Sequence, residues 1–220
     1  MAPLDLGPAA GAMTALVGAV EDHQLANPTP CEATSLAAML DHVDGLALAF
    51  AVAARKEPLP AGVDPTPQAS ADSLTDDWRT RIPARLADLV AAWREPGAWE
   101  GMTSVGGVEM PADACGATGL DELVVHGWDV ARALHLPYEI DEASVAGARI
   151  FVDMVTGPGG AATTGPVRPD GAGRRRRLAA GPAGRTHRPR PGVEPARLRG
   201  PAVVRAGCRA PSAASAAGSP

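Results

Sequence analysis

Two side chains able to share a metal ion, Glu122 and His126, stand four residues apart in the stretch LDELVVHGWDVARAL of residues 120–134. On an α-helix that spacing puts a carboxylate and an imidazole on one face, about one turn apart. Asp129 follows three residues later, roughly on the same stripe. Leu123, Val124, Val130, Ala131 and Leu134 supply the apolar surface that would hold the helix against a core. A Glu and a His so placed can bind a borderline-soft cation such as zinc, provided that another ligand arrives from elsewhere in the fold. The same pair also fits a solvated helix face that holds no ion. Asp129 likewise has two readings, one in which it orients a ligand and one in which it forms an i,i+3 ion pair with Arg132.

The further ligand must come from another element, and the five histidines can be screened by position. His135 lies about half a rotation from His126 on an ideal helix. His23 is near a loop, and His187 is in the C-terminal tail. His42 borders the apolar stripe of an earlier helix (Leu36, Met39, Leu40, Val43, Leu46, Phe50), where a hydrogen-bonded core-edge histidine is the alternative. His42, Glu122 and His126 together offer two nitrogens and one oxygen. That set leaves a fourth position for water or substrate, as in a catalytic zinc site.

The elements that would carry these residues are helical. Apolar periodicity predicts a first helix over Ala10–Val20, broken by Asn27-Pro28-Thr29-Pro30, and a second from a cap at Thr34 or Ser35 to about Lys56. Residues 57–72 read as a loop. A third helix is predicted to open at Asp72-Ser73 and to reach Arg94, with a kink or late start at Pro83. Residues 99–110 read as a small hairpin or an extended crossover around Gly106-Gly107. A fourth helix begins at Pro111 and is limited by Pro137, with Gly116 and Gly119 weakening its first turns. A fifth spans about Asp141–Val155. The expected fold is all-α: a bundle with one long crossover, which can carry a metal site on inward side chains of facing helices.

Composition agrees with close-packed helices, since aromatic residues are only 3% and the core must come mainly from Leu, Val, Ala and Met. No apolar run is expected to reach the roughly 18 residues of a membrane span. Neither a secretory signal nor a disulfide framework is evident, with Cys31 read as a buried loop residue and Cys115 as a helix-packing one. The expected compartment is the cytoplasm.

The PTPC of residues 28–31, the LDHV around His42 and the ELVVHGWDVARA of residues 122–133 resemble the actinobacterial DinB-like family that includes mycothiol-dependent maleylpyruvate isomerase. The resemblance covers about residues 8–166. It implies a four-helix metal-binding bundle with His42, Glu122 and His126 as metal ligands. It also implies a divalent ion such as zinc that activates a low-molecular-weight thiol, mycothiol, toward an electrophilic substrate. The class would be a thiol-dependent transferase or isomerase; the alternative is a non-enzymatic metal- or thiol-binding bundle. Two departures weaken any carry-over of isomerase activity. Ala33-Thr34-Ser35 stands where the family commonly has an aromatic residue, and nothing resembles the isomerase's separate C-terminal domain.

Charge divides the chain. Residues 1–166 hold 8 Lys and Arg against 23 Asp and Glu, whereas residues 167–220 hold 12 Arg and 2 acids. The expected organisation is therefore a metal-binding bundle over 1–166 and a low-complexity Arg/Pro/Gly/Ala-rich disordered tail over 167–220. Synonymous codons for Val167–Pro191, read one nucleotide later, permit an acidic amphipathic segment instead, so the tail also reads as a frameshift. Neither reading calls for a specific nucleic-acid or membrane partner.

Overall fold

The structure, a computed structural model, describes residues 3–31, 33–64 and 69–156. The tail of residues 167–220, with both its readings, lies outside them. Helix α1 spans Gly7–Ala19 and begins three residues before the expected Ala10, with Pro8 in its first turn, where a missing N–H costs nothing. Helix α2 spans Leu36–Arg55. Its cap is Ser35 and not Thr34: the Ser35 hydroxyl accepts the Ala38 N–H at 3.3 Å.

Helix α3 spans Trp78–Arg94, six residues later than Asp72. Asp72-Ser73 belongs instead to a separate 3₁₀ turn, Ala71–Ser73, capped by Ser70. The first helical bonds of α3 run from Thr80 and Arg81 to the Asp77 carbonyl. The helix does not start late at Pro83, which lies inside it. Strands β1 (Met102–Val105) and β2 (Val108–Pro111) form an antiparallel hairpin with Val105 opposite Val108. Its two-residue turn needs left-handed backbone at both positions, and Gly106 and Gly107 supply φ of 58° and 74°. Helix α4 spans Ala112–Ala133 and α5 spans Glu142–Thr156.

Helices α1 and α2 each pack against both α3 and α4, which closes a four-helix ring, and α5 lies on α4. The core runs through Met13, Val17, Leu36, Met39, Leu40, Ile82, Leu86, Leu89, Trp93, Leu120 and Val130, all nearly inaccessible to solvent. Gly116 and Gly119 do not fray α4. A Cβ on Gly116 would sit 2.5 Å from the Trp99 ring and 2.8 Å from Trp93, and one on Gly119 would sit 3.1 Å from Phe50. Both glycines therefore admit aromatic rings against the helix backbone.

The register of α2 against α4 decides where the chemistry falls. Asn27 accepts the Leu36 N–H at 2.8 Å through its carbonyl, and its side-chain amide donates to the Ala133 carbonyl at 2.9 Å. The start of α2 and the end of α4 are thus at the same end of the bundle, and the two helices run antiparallel. His42 is six residues into α2 and His126 seven residues before the end of α4. At about 1.5 Å per residue both stand roughly 10 Å in from that end.

One expectation changes with the structure. Helix α2 is 20 residues long and contains an 18-residue window of mean hydropathy 1.6, enough by length and composition to cross a membrane. Asp41, His42 and Asp44 interrupt the window, so its uninterrupted apolar stretch, residues 45–54, is far shorter than a span. Its apolar character has a use inside the bundle, where 67% of that window is buried.

Candidate metal centre

The antiparallel register brings His42, Glu122 and His126 together, with one ligand atom from each lying within 4.8 Å of the others. The His42 and His126 rings meet edge to face with centroids 5.0 Å apart. The Glu122 carboxylate lies 2.8 Å from His126 Nε2. In a tetrahedron with metal–ligand bonds of about 2.0–2.1 Å, neighbouring ligand atoms are about 3.4 Å apart. The 2.8 Å separation is somewhat shorter than that and the others do not exceed 4.8 Å, so the donor set is of a size that one ion could share.

His126 is buried between two carboxylates. Its Nε2 faces Glu122 and its Nδ1 lies 3.1 Å from Asp129 Oδ2. Arg132 does not pair with Asp129; its guanidinium donates to the Leu136 carbonyl instead. Of the two readings of Asp129, the one that orients a neighbour has the geometry.

Burial works to lower the His126 pKa, but the hydrogen bonds to Asp129 and Glu122 and their charges outweigh it and push the value up to about 9. Burial works to raise that of Glu122, but the hydrogen bond and charge of His126, with His42, hold it below the ordinary value. His42 is pushed down, by burial first and then by the charge of His126, which keeps it a neutral nitrogen donor.

The sign of the pH dependence follows. A group whose pKa rises on folding from 6.5 to about 9 contributes stability that is complete below 6.5 and is lost as pH climbs through 9. In the metal-free protein, the gap in thermal stability between the native chain and His126→Asn is expected to narrow from pH 6.5 to pH 9.5. A melting series across that range checks this, and a constant or widening gap contradicts it.

Three features beside the site were not read from the sequence. A narrow apolar pocket lined by Met13, Val43, Leu46, Phe50, Leu89 and Leu123 reaches Glu122, with about 10 Å³ of room, near the space of one water. Asp121 is buried, and burial, with the neighbouring Glu122, pushes its pKa up to about 7. Tyr138 folds back over Gly127, where a Cβ would meet its hydroxyl at 2.5 Å. The glycine beside the candidate ligand His126 was the one available hint of that contact.

Of the other histidines, His23 and His135 stay away from the cluster, and His187 lies outside the described residues. His23 is exposed beside Glu21, and His135 is exposed just past α4. Cys31 and Cys115 are both buried; the Thr34 hydroxyl lies 3.4 Å from the Cys31 sulfur. Burial pushes the Cys115 thiol up to about 12, which leaves it inert as a nucleophile at neutral pH.

Fold and site together define a class: an all-α DinB-like bundle with a His/Glu/His cluster between two antiparallel helices. The chain belongs to the family of the mycothiol maleylpyruvate isomerase N-terminal domain, whose model matches residues 6–131. That match takes in α1 to α3, the hairpin and nearly all of α4, and so all three clustered residues. No curated protein and no solved structure matches the chain.

Proposed function

We propose that the bundle binds one divalent ion, zinc by preference, on His42, Glu122 and His126, and that it serves a mycothiol-dependent transferase or isomerase reaction. The observation that carries this reading is the convergence of two imidazoles and a carboxylate from two helices, within a chain of a mycothiol-related family. Charge supports a dication: Glu122 and the buried Asp129 bring two negative charges, which two neutral imidazoles and a doubly charged ion balance. When bound, such an ion would supply a Lewis acid that lowers the pKa of a coordinated thiol into the neutral range.

The chain's own residues have separate tasks. His42, held neutral by burial, offers a nitrogen without first losing a proton. His126 must release one, so zinc affinity is expected to rise as pH climbs toward 9. Glu122 borders the apolar pocket and keeps 27% of its side-chain surface exposed, and in this reading the thiol approaches from that exposed side. Cys115 is too deeply buried to supply the sulfur, and an external small-molecule thiol is the nucleophile of this reading. The mycothiol-related family supports the cytoplasm as its compartment.

The test is thiol transfer to a panel of electrophiles, with metal-loaded protein compared with metal-stripped protein. The expected result is consumption of mycothiol that requires both metal and protein and falls by at least about 100-fold on stripping. Metal-dependent thiol binding without turnover would instead establish the non-enzymatic alternative.

A further inference from the structure

We infer that Asp129 is a positioning residue that decides which nitrogen of His126 faces the ion; this rests on the metal reading above. Asp129 has no solvent exposure. Among the described residues its Oδ2 meets His126 Nδ1 at 3.1 Å, and its Oδ1 has no hydrogen-bond partner. A buried carboxylate with a single partner is costly, so that one bond constrains its partner strongly.

Flipping the imidazole by half a turn would place a ring carbon against Oδ2 and leave the carboxylate with no donor at all. The ring is therefore locked with Nδ1–H donating to Asp129. Nε2 is then the nitrogen that points at Glu122, on the side where the His42 ring lies. His42 has no equivalent carboxylate among the described residues. One ligand is thus set before the ion arrives, and the other is free to adjust around it. A histidine whose far nitrogen donates to a carboxylate is also a more basic ligand, and loss of such a partner lowers metal affinity about 10–100-fold.

Zinc affinity of the full chain, measured at one pH by competition with a chromophoric chelator, tests this in Asp129→Ala and Asp129→Asn beside the native protein. Asp129→Ala is expected to weaken zinc binding about 10–100-fold. Asp129→Asn, whose amide oxygen still accepts from Nδ1, is expected to lose less. Nitrogen-15 spectra of the zinc-loaded proteins give a readout that a merely structural role would not move. The native protein should show His126 with a protonated Nδ1 and zinc on Nε2, and Asp129→Ala a mixture of both linkages. If Asp129→Ala does not fold, Asp129→Asn carries the test through a shifted Nδ1–H resonance together with weaker binding. Affinity within about threefold of native with an unchanged ring pattern in the folded variants overturns the inference and leaves the metal reading standing. Failure of the native chain to bind zinc overturns both.

Discussion

Replacement of His126 by alanine is expected to reduce zinc content from about one ion per chain to a small fraction of that, with affinity falling by more than about 100-fold, since loss of a ligand should exceed the loss of a ligand's hydrogen-bond partner. The two donors that remain, His42 and Glu122, sit on different helices and would have to hold the ion against water and chelator. The substitution also strips Asp129 of its one hydrogen bond at a position with no solvent exposure. A buried charge left without a partner costs roughly 3–5 kcal/mol, so the variant should also melt earlier in its metal-free form. His42→Ala separates the two effects: its ring is only partly buried, and its loss should remove metal at a smaller cost in stability. Metal analysis after gel filtration, beside a melting curve for each variant, checks both. Full zinc retention in His42→Ala and His126→Ala would rule the three-residue site out.

A loss of stability of about 3–5 kcal/mol is also expected from Trp93→Ala, here from packing alone. At roughly 2–4 °C per kcal/mol for a chain of this size, that is a fall of roughly 6–20 °C in Tm. Trp93 is 2% exposed and joins three elements. Its indole N–H donates to the Phe50 carbonyl of α2 at 3.1 Å, its ring meets Trp99 edge to face at 4.8 Å, and Gly116 of α4 lies beneath. The same nest predicts that Gly116→Ala, a mild change on most exposed helices, costs about 1–3 kcal/mol, because the new methyl meets two rings at less than 3 Å. Urea unfolding of both variants checks the pair. A cost below about 1 kcal/mol for Trp93→Ala would mean that the ring is not part of the packed core.

Much of the bundle was legible because its helices carry a clear apolar period and end at Pro-rich breaks. Glu122 and His126 share a face by spacing alone, and the stripe beside His42 placed that residue at the edge of a core. What was lost depended on contacts between elements. The acidic stretch from Asp72 to Asp77 resembles the capped first turn of a helix, yet its first buried apolar residue is Trp78, and tertiary packing starts α3 there. Gly116 and Gly119 read as weak helix formers because propensity sees only the backbone, whereas the fold uses the missing Cβ to seat Trp99, Trp93 and Phe50. The partner of Asp129 was open because His126 and Arg132 are each three residues away. The choice follows from Arg132 reaching outward to the Leu136 carbonyl while Asp129 turns into the core. Asp121 gave no signal at all, since its burial comes from its neighbours in the fold.

The central claim is that His42, Glu122 and His126 hold one divalent ion, and the most direct measurement is anomalous X-ray diffraction at the zinc edge on crystals grown with zinc. The expected result is a single strong peak between α2 and α4, about 2.0–2.1 Å from a nitrogen of His42, from Nε2 of His126 and from an oxygen of Glu122, with a fourth position filled from outside the chain. Zinc found only elsewhere on the surface, with the His126–Glu122 hydrogen bond intact at 2.8 Å, would contradict it.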